Sequence, residues 1–337
     1  MSFSVNRNLG WGLVALGGLM LAALLADFLS PYDPIAQHRE SAFAPPARLR
    51  FVDAEGRRHW RPFVYAPQTR ERIYPLRLMV RGAPYRLLGV ISCERHLFGV
   101  EEPARVFLLG SDALGRDVLS RLLHGARLSL TLAGAALLIS LPLALLVGGL
   151  SGFYGGWVDY FCMRLIELFL ALPALYLVIA LRGALPLSLP PEKVFIAMVA
   201  VLGVFGWAGL ARIVRGATLS LRRCEFVLAA ESLGASTGRI LFHHIWPNLA
   251  GIVFTQAALA APGFILAEVM LSYLGLGVTE PLSSWGGMLA AAGGVHQLAA
   301  YWWNLSPGAA VFAANLTFYL LAEGLREYAD PRLQSPD

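Results

Sequence analysis

Lysine is almost missing from this chain. Of 27 basic residues only Lys193 is a lysine, and it stands in PPEKVF. A phosphate-cradling P-loop needs a glycine-rich approach to a lysine followed by serine or threonine, so none is present here. Any ATP-driven step therefore has to come from another polypeptide. Charge is scarce as well: 15% of the 337 residues are charged against 57% hydrophobic, and mean hydropathy is +0.59. That is the composition of a membrane protein, not of a soluble globule. The net charge of +5 is arginine scattered among apolar runs, with no stripe to follow a phosphate backbone, which argues against nucleic-acid binding. The three cysteines, Cys93, Cys162 and Cys224, lack metal-ligand spacing. The topology below puts them outside the membrane, within it and inside the cell, so no disulfide is expected. His243 and His244 are adjacent; on a helix they point about 100° apart, which suits surface histidines better than ligands. No metal site is expected.

What the chain has in quantity is long apolar runs. Leu9–Leu29, Leu128–Leu150, Tyr160–Leu181, Val194–Leu210, Leu249–Leu274 and Leu305–Leu321 read as six membrane-spanning helices. The first competes with a signal peptide, because Arg7 precedes it. Its length, and the lack of a small-residue cleavage site around Ser30-Pro31-Tyr32-Asp33-Pro34, favour a retained span. Between the first two spans lies a soluble interruption with sixteen arginines. Leu49–Asp53 and His59–Tyr65 flank Glu55-Gly56 as one expected hairpin, and Leu76–Val80 and Tyr85–Ile91 flank Gly82-Ala83 as a second, giving a small β module. From Ser111 to Arg127, Leu114, Val118, Leu122 and Leu123 recur at helical spacing with Ser111 or Asp112 as N-cap. An amphipathic helix in the outer interface fits this pattern, a soluble helix under the β module being the alternative.

Ionisable groups inside the spans are few, and each is costly there. Arg164 and Glu167 lie three apart on one helix face. They sit near the start of the third span and can pair, which favours a structural role. Glu268 lies within the fifth span; it belongs either to a translocation path or to a buried hydrogen-bonded structure. Trp285, Trp302 and Trp303 of the loop from Gly275 to Asn304 are expected at the interface. Loops longer than ~60 residues translocate largely regardless of charge, so the short loops decide orientation. The outer ones carry Arg182 and Lys193; the inner ones carry Arg7, the cluster from Arg212 to Arg239, Arg326 and Arg332. Both termini are therefore expected in the cytoplasm.

On that side falls the largest polar island, EFVLAAESLGASTGRILFHHIWP from Glu225 to Pro247. Phe226, Ala229, Ala230 and Leu233 form an apolar stripe beside Glu225 and Glu231, and Gly234 with Ala235 and Ser236 supplies a helix stop. A second short segment, Arg239 to Trp246, then runs to Pro247. A short helix, a bend and a second helix, held at both ends by spans, is a shape for another protein to grip.

Ala229-Ala230, three residues, Gly234, then Pro247 thirteen residues on, resembles the EAA loop of membrane subunits of ATP-binding-cassette importers. The motif's glutamate position is Leu228 here. Arg215-Gly216 with Leu219-Ser220, SYLGLG (Ser272–Gly277), SSWGGML (Ser283–Leu289) and DPRL (Asp330–Leu333) resemble the peptide-transporter branch. GSDALGRDVLSRLLHGAR (Gly110–Arg127) and GFYGGWVD (Gly152–Asp159) resemble its C-type subunit, the permease of oligopeptide, dipeptide and nickel importers. The resemblance implies an all-α polytopic fold of six transmembrane helices in a bacterial inner membrane, with a coupling helix seated in an ATPase cleft. It also implies a second homologous permease, two ATPase subunits that hold ATP and magnesium in place of any cofactor on this chain, and an extracytoplasmic solute-binding protein. The expected organisation is a head and first span (1–30), a periplasmic β insertion (31–110), and a permease core (111–337) containing the coupling loop (216–247). Two other classes compete with this one: a proton-coupled secondary transporter and an intramembrane enzyme, both centred on Glu268. The enzyme needs a second acid or a histidine at matching depth, and the secondary carrier usually an internal repeat; the sequence offers neither.

Overall fold

The computed structural model describes residues 7–66, 69–87, 90–172 and 189–329, with positions 176, 179, 180, 183 and 186 in between. The described chain is mostly helical. Its helices are α1 (Arg7–Leu24), α2 (Ala26–Leu29), α3 (Val118–Tyr154), α4 (Gly156–Ala171), α5 (Pro191–Leu221), α6 (Glu225–Ser232), α7 (Thr237–Ile240), α8 (Trp246–Tyr273), α9 (Trp285–Ala291), α10 (Val295–Ala300) and α11 (Ser306–Ala329). Among the described residues, five helical stretches are long and apolar enough to cross a membrane: Arg7–Leu24, Val118–Tyr154, Pro191–Leu221, Thr237–Tyr273 and Trp302–Ala329. The expected third span begins as α4, but most of its remainder up to Leu181, like much of the turn from Arg182, lies outside the described residues.

By packing, the chain divides into two compact units. One comprises residues 1–16, 131–271 and 313–337, the other 17–130 and 272–312. In the first, glycines let helices approach closely. A methyl on Gly12 would stand 2.7 Å from the Leu321 backbone nitrogen, and one on Gly324 would stand 2.3 Å from that of Leu9, so α1 and α11 touch backbone to backbone. Gly148 and Gly152 do the same for α3 against α5, at Ala211 and Arg215. Small residues at such spacing are what membrane helices use to pack, since lipid gives no hydrophobic drive between them. Gly134, equally small, faces nothing within 4 Å. A core of Ala144, Ile166, Trp207, Ala208, Leu210 and Ala211 joins α3, α4 and α5.

The second unit holds all the described strands: β1 (Arg50–Val52), β2 (Arg58–Ala66), β3 (Thr69–Pro75), β4 (Arg77–Leu87) and β5 (Ile91–Gly99). They form an antiparallel sheet β1-β2-β3 and a separate hairpin β4-β5. The expected turn at Glu55-Gly56 joins β1 to β2, with Gly56 in the left-handed region at φ +80°. Asp53 locks that turn, accepting from the Glu55 and Arg57 amides, the Arg57 guanidinium and His59. Burial alone would raise its pKa, but the His59 and Arg57 hydrogen bonds hold it down at about 2. The expected turn at Gly82-Ala83 does not exist. β4 runs straight through it with a register shift between Arg81 and Tyr85, and pairs with β5 instead. A bulge absorbs what looked like a turn signal.

A second correction concerns Ser111–Arg127. There is no separate interfacial helix: α3 starts at Val118 and continues unbroken to Tyr154. Ser111 and Asp112 belong to the preceding turn, where Gly115 takes φ +73° and Asp112 accepts from the Arg116 amide. Asp117 is the residue that caps, its carboxylate accepting from the Ser120 amide at 2.8 Å and from the Ser120 hydroxyl. Arg116 and Arg121 are nearly buried and meet Asp112 and Glu280. Burial works against a charged Glu280, yet Arg121 and Arg116 keep its carboxyl below the usual glutamate range. Trp285 and Trp303 do not face outward, as interfacial anchors would. They are 1% and 7% exposed, and their indole nitrogens donate to the carbonyls of Leu122 and Ser111. Only Trp302, 63% exposed, lies free on the surface. Ser284 caps α9 by accepting from the Gly287 amide.

Candidate functional site

The segment between α5 and α8 is built from local rules. After α5, Arg222–Cys224 turn the chain into α6, which carries Glu225 in its first turn, where the helix dipole favours a carboxylate. α6 ends at a glycine cap of the Schellman type. The Ala235 amide donates to the Ala230 carbonyl (3.1 Å), the Gly234 amide to that of Glu231 (2.9 Å), and Gly234 sits at φ +79°. A methyl on Gly234 would meet nothing within 4 Å, so backbone conformation, not space, selects glycine there. Ser236 caps α7, accepting from the Arg239 amide.

The second segment does not stop at Pro247. α7 passes through a π turn, Leu241–Ile245, directly into α8, and the helix is continuous from Thr237 to Tyr273. In a regular α-helix the proline ring would clash with the carbonyl four residues back. The wider π turn relieves that clash, which the sequence pattern alone does not reveal. The Asn248 side-chain amide donates to the exposed end of this turn at the His244 carbonyl, 2.6 Å away.

Burial separates two faces of α6. Inward, Val227 (0% exposed) and Ala230 pack with Phe153 of α3, Val214 of α5, Ile240, Leu241, Ile245, and Leu249 of α8. Outward stand Glu225, Phe226, Leu228, Ala229, Glu231, Leu233 and, from the π turn, Phe242; Leu233 is 88% exposed. Three of the four expected stripe residues therefore face out. Ala230 does not: one position beyond Ala229, it rotates onto the Val227 side and becomes a core residue. Val227 and Phe242 were missed by sequence reasoning, although the i, i+3 spacing of Val227 and Ala230 was available to find the buried face. Ala235 is half-buried against the same core. Beside it, a methyl on Gly149 of α3 would stand 2.9 Å from the Trp246 indole nitrogen, and the Arg222 guanidinium lies 5.4 Å from the Phe153 ring. α6 is thus packed against the ends of α3, α5 and α8 together.

The polar residues expected within the spans are not part of this cluster. Arg164 and Glu167 pair with each other at 2.7 Å on an exposed face of α4. Glu268 is fully buried in α8 and engaged within the chain, 21 residues beyond Pro247 and thus about 30 Å along the helix. Among the described residues no group of three or more acidic, histidine or cysteine side chains is placed to hold a metal ion.

The sequence family described as binding-protein-dependent transport system inner membrane component matches residues 140–335, more than half of the chain. The chain belongs to this family. A second family, the N-terminal TM domain of oligopeptide transport permease C, matches residues 2–46. Among relatives, the oligopeptide transport system permease protein OppC of Bacillus subtilis (strain 168) is 39% identical over 233 residues, 69% of this chain and 74% of that protein. The dipeptide transport system permease protein DppC of the same organism is 39% identical over 235 residues, 69% of this chain and 71% of that protein. A putative peptide permease of Brucella ovis is 36% identical over 274 residues, 81% and 84% of the two chains. The permease is thus an inner-membrane component of a transport system and not an enzyme, and its membership does not favour the Glu268-centred alternatives. The segment from α5 to α8 lies inside the family match; the five described strands fall between its two matched regions.

Proposed function

We propose that this permease forms one half of the translocation path of a binding-protein-dependent ATP-binding-cassette importer for peptides, and that α6 is its coupling helix. The observation that carries the proposal is the two-faced α6: an inward face locked into the ends of α3, α5 and α8, and an outward face of Phe226, Leu228, Ala229 and Leu233 beside Glu225 and Glu231, left exposed by the described residues. The substrate class rests on the peptide permeases among its relatives. In this reading the chain has six spans, with α4 belonging to the third, and the charge of the short loops favours a cytoplasmic side for both termini and α6. Partners are a second, homologous permease, two ATPase subunits that bind ATP and magnesium, and an extracytoplasmic solute-binding protein. Closure of the ATPases moves α6, and the attached helix ends switch the path between inward and outward access. The outward docking surface includes Glu225, Leu228, Ala229, Glu231 and Leu233; Gly234, Ala235 and Pro247 shape the backbone behind it, and Ala230 anchors it.

The test is purification of the protein from membranes, with mass spectrometry of what accompanies it, beside Ala229→Arg. That substitution enlarges an exposed position without touching the core. A P-loop ATPase and a second polytopic subunit should co-purify with the wild type, and the ATPase should be lost from the variant. A wild-type protein that comes out without an ATPase refutes the proposal.

A further inference from the structure

The coupling reading explains how α6 grips the ends of α3, α5 and α8, but not how α4 is driven. One polar cluster supplies the connection. Asp159 lies in the first turn of α4, just after the corner at Gly155-Gly156 that separates it from α3. Its carboxylate collects both neighbouring helices. Oδ1 accepts from the Ser151 hydroxyl, on the last turn of α3, and from Nε of Arg215; Oδ2 accepts from Nη2 of Arg215 at 2.5 Å. Arg215 lies on α5, six residues before that helix gives way to the turn leading into α6. A two-point guanidinium–carboxylate bond fixes orientation as well as distance, because both groups are planar. The pair is largely shielded, with 26% and 21% of the two side chains exposed. Next to it, Gly152 brings α3 against the Arg215 carbonyl and the Thr218 side chain, so close that any side chain there would collide. Backbone contact and ion pair thus clamp the same short stretch of three helices.

We infer that Asp159 and Arg215 are positioning residues: with Ser151 as brace, they make the end of α3, the start of α4 and the end of α5 one rigid body that passes the displacement of α6 into α4. The inference rests on the coupling reading, and it assigns a task to two residues outside the docking surface. A link that only glued helices together would be satisfied by any stable packing. This one requires the α4–α5 spacing to stay constant while the partner ATPase goes through its cycle.

The experiment uses the purified complex in liposomes, with Cys93, Cys162 and Cys224 replaced by serine. Spin labels are placed at Trp157→Cys on α4 and Ile213→Cys on α5, both on exposed positions. Their distance is measured with and without magnesium ATP and vanadate. A narrow distance, unchanged by nucleotide, is expected in the otherwise wild-type protein. In Asp159→Asn the distribution should broaden and shift on nucleotide, while the co-purified ATPase still hydrolyses ATP. The charge-reversed pair Asp159→Arg with Arg215→Asp should recover the narrow distance. Ser151→Ala, which keeps the ion pair, should broaden it less and serves where Asp159→Asn does not assemble. A distance that shifts with nucleotide in the unaltered pair, or one as narrow in Asp159→Asn or Ser151→Ala as before, overturns the link while leaving the coupling helix intact. Absence of any ATPase from the wild-type complex is the distinct failure of the coupling reading, and the link falls with it.

Discussion

Gly148 and Gly134 lie on the same helix, α3, and make a matched pair of sites for one methyl group. At Gly148 the added Cβ would come within 2.4 Å of the Ala211 carbonyl oxygen and 2.9 Å of the Val214 Cβ; at Gly134 nothing lies within 4 Å. The carbonyl belongs to the backbone of α5 and cannot swing aside, so the two helices must part before a methyl fits. Overpacking of this kind costs about 1–3 kcal/mol. Both substitutions gain the same helix preference for alanine over glycine, about 0.5–1 kcal/mol. The gain therefore cancels in a comparison of Gly148→Ala with Gly134→Ala, and the difference between them should be the overpacking cost alone, about 1–3 kcal/mol against Gly148. Unfolding of the detergent-solubilised protein, followed by tryptophan fluorescence against temperature or denaturant, reads this difference. Equal midpoints for the two variants would refute the reasoning, because they would mean that α3 and α5 do not touch at Gly148.

Val227→Ala, inside the α6 core, should cost about 1–3 kcal/mol of stability in the same assay. Leu233→Ala, on the outward face, should change stability by less than about 0.5 kcal/mol yet reduce recovery of the ATPase in a pull-down; unchanged recovery counts against the docking face. Gly234→Ala meets open space but forces a left-handed backbone, for about 1–2 kcal/mol, and Gly234→Asn should cost less; thermal midpoints in the order Gly, Asn, Ala check this. Asp53 is held at about 2, below its ordinary 3.8, so its charged form favours the folded β1-β2 turn. That contribution is complete above about pH 4 and disappears as pH falls through about 2. Hydrogen exchange at the Glu55 and Arg57 amides should stay slow down to that window and quicken within it, and Asp53→Asn should quicken it at neutral pH.

Much of the fold was legible because membrane helices announce themselves by length and apolarity, and five of the expected runs reappear as long helices. Where reading failed, the cause was a non-local partner. Ser111 looks like a cap as well as Asp117 does; only the left-handed turn at Gly115 decides between them. Trp285 and Trp303 look interfacial until carbonyls 163 and 192 positions away in sequence are found to hold their indole nitrogens. Gly82-Ala83 reads as a turn because a bulge uses the same residues. In the coupling segment, the glycine stop and its cap follow from short-range rules and were visible. The continuation through Pro247 depends on a π turn, for which sequence offers no pattern, and the inward rotation of Ala230 depends on which face the core claims.

The two helices that flank α6 differ in stiffness. α5 has 31 residues with no proline beyond its first turn, an arm of about 46 Å. Each degree of tilt at its α6 end therefore sweeps the far end by about 0.8 Å. Beyond the Gly234 bend, α7 runs into α8 through a π turn, and α8 carries Pro262 inside, two places where a helix yields. If α6 is the coupling helix, a push on it would travel as lever motion on one side and be absorbed as bending on the other.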